Sequence, residues 1–203
     1  MKAKEFRAKN TVALARGLLG QVLVRTLPDG RQERHVITEV EAYHGDRDRA
    51  SHASRGRTRR NAPMFGPGGV WYVYLCYGVH EMLNLVTGPR DFPAAILIRG
   101  VAGLNGPGRL TKALGIDRRL NGAPATPASG LHLATTGVRV PRRLMRAAPR
   151  IGVDYAGPVW SNMPWRFFFD PSALPAPKPR AVRKAQEAAS KRQGRGRVTV
   201  RSR

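Results

Sequence analysis

The sequence predicts a single α/β (α+β) domain, and three observations carry that expectation. The chain has 203 residues, a length that suits one packed core with a tail. Runs with a period of two, or rich in β-branched and aromatic residues, recur along it. Helical punctuation, by contrast, frames only two short segments. No internal repeat breaks this pattern.

Taken in chain order, Asn10 or Thr11 can cap a helix over residues 11–18, with Gly20 close to its end. A strand-like segment over 21–26 follows, and a Pro28-Asp29-Gly30 turn returns the chain. Over 34–43 the period of two places Val36, Val40 and Ala42 on one face and Ile37, Glu39, Glu41 and Tyr43 on the other. Two carboxylates beside a Tyr suit either a solvated strand face or a functional one, and the alternation leaves both open. Residues 44–61 are polar and basic, as expected of a long surface loop. After Gly66-Pro67-Gly68-Gly69, residues 70–77 form a strand with Tyr72 and Tyr74 on one face. Further strands are expected over 83–87 and 94–99. Gly106-Pro107-Gly108 opens a helix over 109–114 that Gly115 terminates. Residues 116–147 show no assignable period, and 151–153 and 165–169 are expected to be closing strands. From Pro171, four prolines within nine residues lead into a stretch with ten Lys or Arg and one Glu. The expected organisation is a catalytic domain over 1–172 and a disordered basic tail over 173–203.

Charge narrows the partners. Lys and Arg number 36 against 13 Asp and Glu, a formal +23, of which the tail supplies +9 and the body +14. Such a field favours a polyanion, and nucleic acid is the leading candidate. An architectural or RNA-binding protein that does no chemistry would be equally basic. Cys76 is the only cysteine, so neither a disulfide framework nor a cysteine-based zinc site can be built. The expected location is intracellular, in the cytoplasm or nucleoid if the source is bacterial. No apolar run approaches the roughly 18 residues of a membrane span, so no membrane partner is expected.

Glu41-Ala-Tyr43, with His52 nine residues further on, offers a carboxylate, an aromatic plane and an imidazole. An N-glycosidase needs this set: the carboxylate activates water and stabilises positive charge on the sugar, while the ring stacks on an extruded base. Glu39, Glu41, His44, Asp46, Asp48 and His52 also permit a metal-dependent nuclease. Against that stand the absence of any fixed ligand motif and the cations Arg47, Arg49, Arg55 and Arg57 among the candidates. Residues 71–78 hold three tyrosines in six positions, suiting either a packed strand or a pocket wall of Tyr72 and Tyr74 with a wedge at Tyr77.

Glu41-Ala-Tyr43, Ala50-Ser-His52-Ala, Arg60-Asn61, Met64-Phe65-Gly66-Pro67, Tyr72-Val-Tyr74, Tyr77-Gly78, Asn84, Ile96-Leu97-Ile98-Arg99 and Gly106-Pro107-Gly108-Arg109-Leu110 together resemble the alkyladenine (3-methyladenine) DNA glycosylase family in order and spacing. Pro164-Trp165-Arg166-Phe167 extends the resemblance, which covers about residues 5–170. It implies a single domain around a curved, mostly antiparallel β-sheet with flanking helices. It also implies a monofunctional enzyme that flips and hydrolytically removes alkylated or deaminated purines (3-methyladenine, hypoxanthine, ethenoadenine), leaving an abasic site. By resemblance, Glu41 is the catalytic base, and Arg99 and the main-chain carbonyl of Ile151 help hold the attacking water. Tyr43, His52 and Tyr74, with Tyr72 beside them, form the base pocket. Asn84 disfavours normal guanine, and Tyr77 intercalates where the base leaves. The implied partner is double-stranded DNA containing damaged purines, bound by a monomer without cofactor or metal.

The sequence also departs from that family. Glu81-Met82 replaces an aromatic or bulky residue and a Cys, which is expected to place a negative charge near the wedge. Gly100-Val-Ala-Gly103 replaces a longer acidic, proline-containing segment.

Overall fold

A thirteen-residue strand organises the fold. In the computed structural model, which describes residues 3–137 and 139–174, β1 (Val22–Thr26) runs antiparallel to the first half of β2 (Gln32–His44). The second half of β2 pairs on one side with β5 (Ala94–Val101) and on the other with β9 (Arg166–Phe168). Beyond β5 lie β4 (His80–Val86) and β3 (Trp71–Cys76), and beyond β1 lies β7 (Leu131–Ala134). The path β3-β4-β5-β2-β1-β7 is antiparallel throughout and curls into a half-barrel. The described residues up to Pro171 form one compact unit. The expected basic tail lies outside the described residues.

The helices follow local chemistry. α1 (Thr11–Leu18) is capped by the Asn10 carboxamide, which accepts from the Ala13 amide at 3.0 Å, and it buries Ala15 and Leu18. α2 (Pro107–Ala113) starts on a proline that needs no hydrogen-bond partner, and Gly115, at φ +56°, follows its end. α3 (Gly157–Ser161) was not legible in the pattern. The segment after Arg99 is a two-residue hairpin, Ala102-Gly103, joining β5 to β6 (Leu104–Asn105), and Gly103 supplies its positive φ of +82°.

Three expectations are corrected. Residues 151–153 are not a strand: the strand is β8 (Arg146–Ala148), paired with β9, and the chain bends immediately after it. Pro149 has no amide to donate to a ladder and Gly152 adopts φ +74°, so pairing stops there. Residues 116–147 contain β7 and the start of β8, each too short for a period to show. Residues 44–61 run partly inward, for Asp48 and Asn61 are buried and one 3-10 turn (His52–Arg55) carries His52.

Candidate active site

Strand register assembles the site. Glu41 lies opposite Leu97, Leu97 opposite Asn84, and Asn84 opposite Tyr72, a single row across β2, β5, β4 and β3. At about 4.8 Å per strand this row spans some 14 Å. Tyr43 and Tyr74 stand two residues along from Glu41 and Tyr72, on the same face because strand side chains alternate. These side chains line a cavity of about 660 Å³ that also takes in His52, Arg99 and Ile151. The nine residues to which the resemblance gives a role therefore all border one cavity, while Glu39, His44, Asp46 and Asp48 do not line it.

Glu41 lines the cavity yet is 0% exposed, and each of its oxygens is engaged. Oε1 accepts from the Ile151 amide at 2.8 Å and faces the Arg99 guanidinium at 3.4 Å, while Oε2 accepts from the Tyr43 hydroxyl at 2.9 Å. Of the two readings the alternation left open for this face, Glu41 takes the enclosed one. Burial pushes the Glu41 carboxyl above its ordinary value, and Arg99, the Ile151 amide and Tyr43 only partly offset this. The bend after Pro149 is what frees the Ile151 amide for this contact.

Arg99 sits where the register slips. Glu39 pairs with Gly100 and Val40 with Ile98, so Arg99 is an extra residue on β5, as Thr38 is on β2. Its Nε donates to Glu39 Oε1 at 3.1 Å, and Arg166 reaches the same oxygen at 3.0 Å. Arg166 also donates to the Pro149 carbonyl at 2.9 Å, tying β9 to the bend that carries Ile151. Glu39 thereby shares Arg99 with Glu41, and its own charge helps keep the Glu41 carboxyl high.

The opposite wall is aromatic. The His52 and Tyr74 rings meet edge-on at 4.6 Å, Tyr72 and Tyr74 lie 5.1 Å apart, and the Tyr72 hydroxyl is 3.0 Å from His52 Nδ1. Burial lowers the His52 imidazole to about 4 with help from Arg60 and Arg55, so it is neutral near pH 7. Asn84 is held by two donations from its amide, to the Tyr72 and Met82 carbonyls at 3.1 and 3.2 Å. Tyr77 caps the β3–β4 hairpin with φ +50° and is 90% exposed, and Gly78 follows at φ +73°. A non-glycine residue in the left-handed region costs on the order of 1–3 kcal/mol, which here projects a ring away from the fold beside the cavity. The Glu81 charge expected nearby is met by Arg118 at 3.0 Å.

Two supports were invisible in the sequence. Asp48 and Arg150, 102 residues apart, form a bidentate pair with both side chains 0% exposed. Arg150 also donates to the Ala42 carbonyl at 2.9 Å and lies over the Tyr43 ring at 4.8 Å, so it backs the pocket wall and anchors the bend before Ile151. Asn61 clamps the loop bearing His52, donating to the His52 and Gly56 carbonyls at 3.0 and 2.9 Å. No local period marks a partner so distant in sequence. Among the described residues no group of three or more His, Cys, Asp or Glu could hold a metal ion. The nuclease candidates Glu39 and Asp48 are engaged by arginines instead.

The sequence matches the methylpurine-DNA glycosylase family over residues 5–104 and 102–173. The chain belongs to this family. The glycosylase is 44% identical over 192 residues to a protein of Anaeromyxobacter sp. (strain Fw109-5), covering 89% of this chain and 96% of the relative. It is 43% identical over 185 residues to one of Methanocella arvoryzae, with coverage of 81% and 90%, and 45% over 176 residues to one of Myxococcus xanthus, with 81% and 88%. All three carry the provisional name 3-methyladenine DNA glycosylase. The glycosylase is accordingly a DNA repair hydrolase of N-glycosyl bonds, and no described helix is long and apolar enough to cross a membrane.

Proposed function

We propose that this glycosylase, as a monomer on duplex DNA, flips a damaged purine into the cavity and hydrolyses its bond to the sugar with Glu41 as the base. The observation that carries the reading is the placement of Glu41: a carboxylate enclosed by the fold, raised in pKa, and opening onto a cavity walled by tyrosines. A general base works best when its pKa approaches the operating pH, and burial moves Glu41 in that direction. Arg99 stabilises the carboxylate, and the Ile151 carbonyl, on the same residue whose amide holds Glu41, helps hold the water. Tyr43 and Tyr74 stack on the base, with His52 and Tyr72 at its edge. The immobilised Asn84 excludes the exocyclic amine of normal guanine. Substrates include 3-methyladenine, hypoxanthine and ethenoadenine.

The test incubates the wild type with duplexes carrying each lesion in EDTA and quantifies the free base. Release is expected, with strand breaks appearing only after alkali and no covalent adduct trapped by borohydride. Tight binding without release of any lesion would overturn the reading in favour of a DNA-binding role.

In this reading Tyr77, exposed at the β3–β4 hairpin, fills the gap left by the flipped base. Stacking is worth about 1–3 kcal/mol per ring, so Tyr77→Ala should slow single-turnover excision from duplex DNA at least several-fold. A lesion in a single strand, which leaves no stack to fill, should suffer less. Equal losses on both substrates would remove Tyr77 from this role.

A further inference from the structure

The reverse face of the sheet carries a second groove. Side chains alternate along β2, so Val40 and Ala42 face away from the cavity that Glu41 and Tyr43 line. Phe167 lies opposite Val40 in the β2–β9 register and points to that reverse face too. The Arg16 guanidinium stands over the Phe167 ring at 4.7 Å, which sets the outer surface of α1 on the same side. There Arg16 and Gly17 of α1 face the segment over 139–145 across a groove of about 570 Å³. It shares no lining residue with the cavity that holds Glu41.

The chemistry of this groove is mixed. Ala13, Pro141 and Met145 give it apolar surface open to solvent, and the buried Leu19 and Val140 also border it. Arg16, Arg139 and Arg142 line it as well, all three exposed, and none forms an ion pair among the described residues. Gln21 completes it, and its shielded Oε1 has no hydrogen-bond partner in the fold, a shortfall that an N–H from outside the fold would make good once the amide turns.

We propose that this groove docks an acidic, partly apolar peptide segment of a partner protein, and that it does so while DNA occupies the opposite face. Three unpaired guanidiniums call for carboxylates, which arginine holds through two parallel hydrogen bonds. The apolar surface between them calls for a side chain that covers it. A nucleic-acid backbone supplies the charge but not the apolar group. Charge also excludes the other occupants at hand. Between Lys178 and Arg203 this chain has ten Lys or Arg and one Glu, and a second copy of the chain carries the same +23. Both would be repelled by the three arginines.

The probes are short fluorescein-labelled peptides, each with one Leu, Ile or Phe flanked by Asp and Glu. Binding to the full-length wild type is read by anisotropy at about 0.15 M salt, where exposed charges more than about 8 Å apart are screened. At least one peptide should bind saturably. Replacing its apolar residue by Ser should weaken binding about 10-fold, the effect of losing one buried apolar side chain. Combining Arg139→Glu with Arg142→Glu should weaken it by about 10-fold or more. Saturating the protein beforehand with a duplex that carries an abasic site should leave the peptide affinity unchanged.

Gly17→Phe tests shape independently of charge. A Cβ at Gly17 meets nothing within 4 Å, and glycine is an unfavourable residue in a helix, so this variant should fold at least as well as the wild type while filling the groove. It should abolish saturable peptide binding and leave base release as it was.

The inference is overturned if none of the peptides binds saturably, if the Ser form binds as well as its parent, or if Gly17→Phe binds like the wild type. Displacement of the peptide by duplex would put it on the DNA face and overturn the inference as well. So would a variant with both arginines reversed that loses duplex affinity but keeps the peptide, because the reverse face would then be a second DNA surface.

Discussion

Replacement of Glu41 by Gln should lower single-turnover base release by about 10²- to 10⁴-fold, the usual contribution of a positioned general base, while the protein remains folded. The expectation of intact folding follows from the sign of the pKa shift. The folded protein holds the Glu41 proton more tightly than the unfolded chain does. Between the unfolded and folded pKa values the native state binds more protons, so stability falls as pH rises through that window. At neutral pH the charge on Glu41 is therefore a cost to the fold, and a neutral isostere relieves it. Arg99 is not stranded by the change, because Glu39 still receives its Nε at 3.1 Å. The melting temperature of Glu41→Gln at pH 7 should equal or exceed that of the wild type.

The same shift governs the pH profile, because the base works only when ionised. The acid limb of kcat/KM should lie above the ordinary carboxylate range, with activity lost as pH falls through the raised value. A variant that keeps the wild-type rate, or an acid limb at the value of a free glutamate, would show that Glu41 is not the base.

Asp48→Ala should destabilise the fold by about 3–5 kcal/mol, the cost of stranding one member of a buried ion pair. Arg150 would keep its charge with neither solvent nor carboxylate to meet it, since its side chain is 0% exposed. Its Nε already lacks a hydrogen-bond partner, so little reserve remains. Asp48 also accepts from the amides of His44 and Ala50 at 3.1 Å, and these would lose their acceptor together. At about 2–4 °C per kcal/mol for a domain of this size, thermal unfolding should drop by roughly 6–20 °C.

A double variant, Asp48→Ala with Arg150→Met, should recover part of the loss, because it removes the unpaired charge as well. The catalytic consequence should appear even where the variant is folded. Arg150 anchors the bend whose next residue, Ile151, donates to Glu41, and it backs the Tyr43 ring. A melting temperature within about 2 °C of wild type would show that the pair does not hold the site together.

Much of the site was legible before the fold because its residues are local. Glu41 and Tyr43 share a face through strand alternation, as do Tyr72 and Tyr74, and Tyr77-Gly78 marks a turn by its chemistry. Length, charge and the order of these motifs were enough to indicate one α/β domain that handles nucleic acid. Local pattern could not decide whether the carboxylate face was solvated or enclosed. That depended on β4 and β5, which bring Asn84 and Leu97 into the row between Glu41 and Tyr72.

Nor could pattern place Ile151 in a bend, because the stop comes from the missing proline amide and a left-handed glycine beside a strand too short to show a period. The Asp48–Arg150 pair and the sharing of Arg99 between two glutamates belong wholly to the tertiary structure. In the sequence, alternation and turn chemistry brought together Glu41 with Tyr43 and Tyr72 with Tyr74 and marked Tyr77-Gly78, because they act over a few residues, whereas Asn84, Arg99 and Ile151 came only by resemblance. Only the tertiary structure decided the protonation and hydrogen-bond partners of the site's groups, because these depend on burial and on charges brought together from distant parts of the chain.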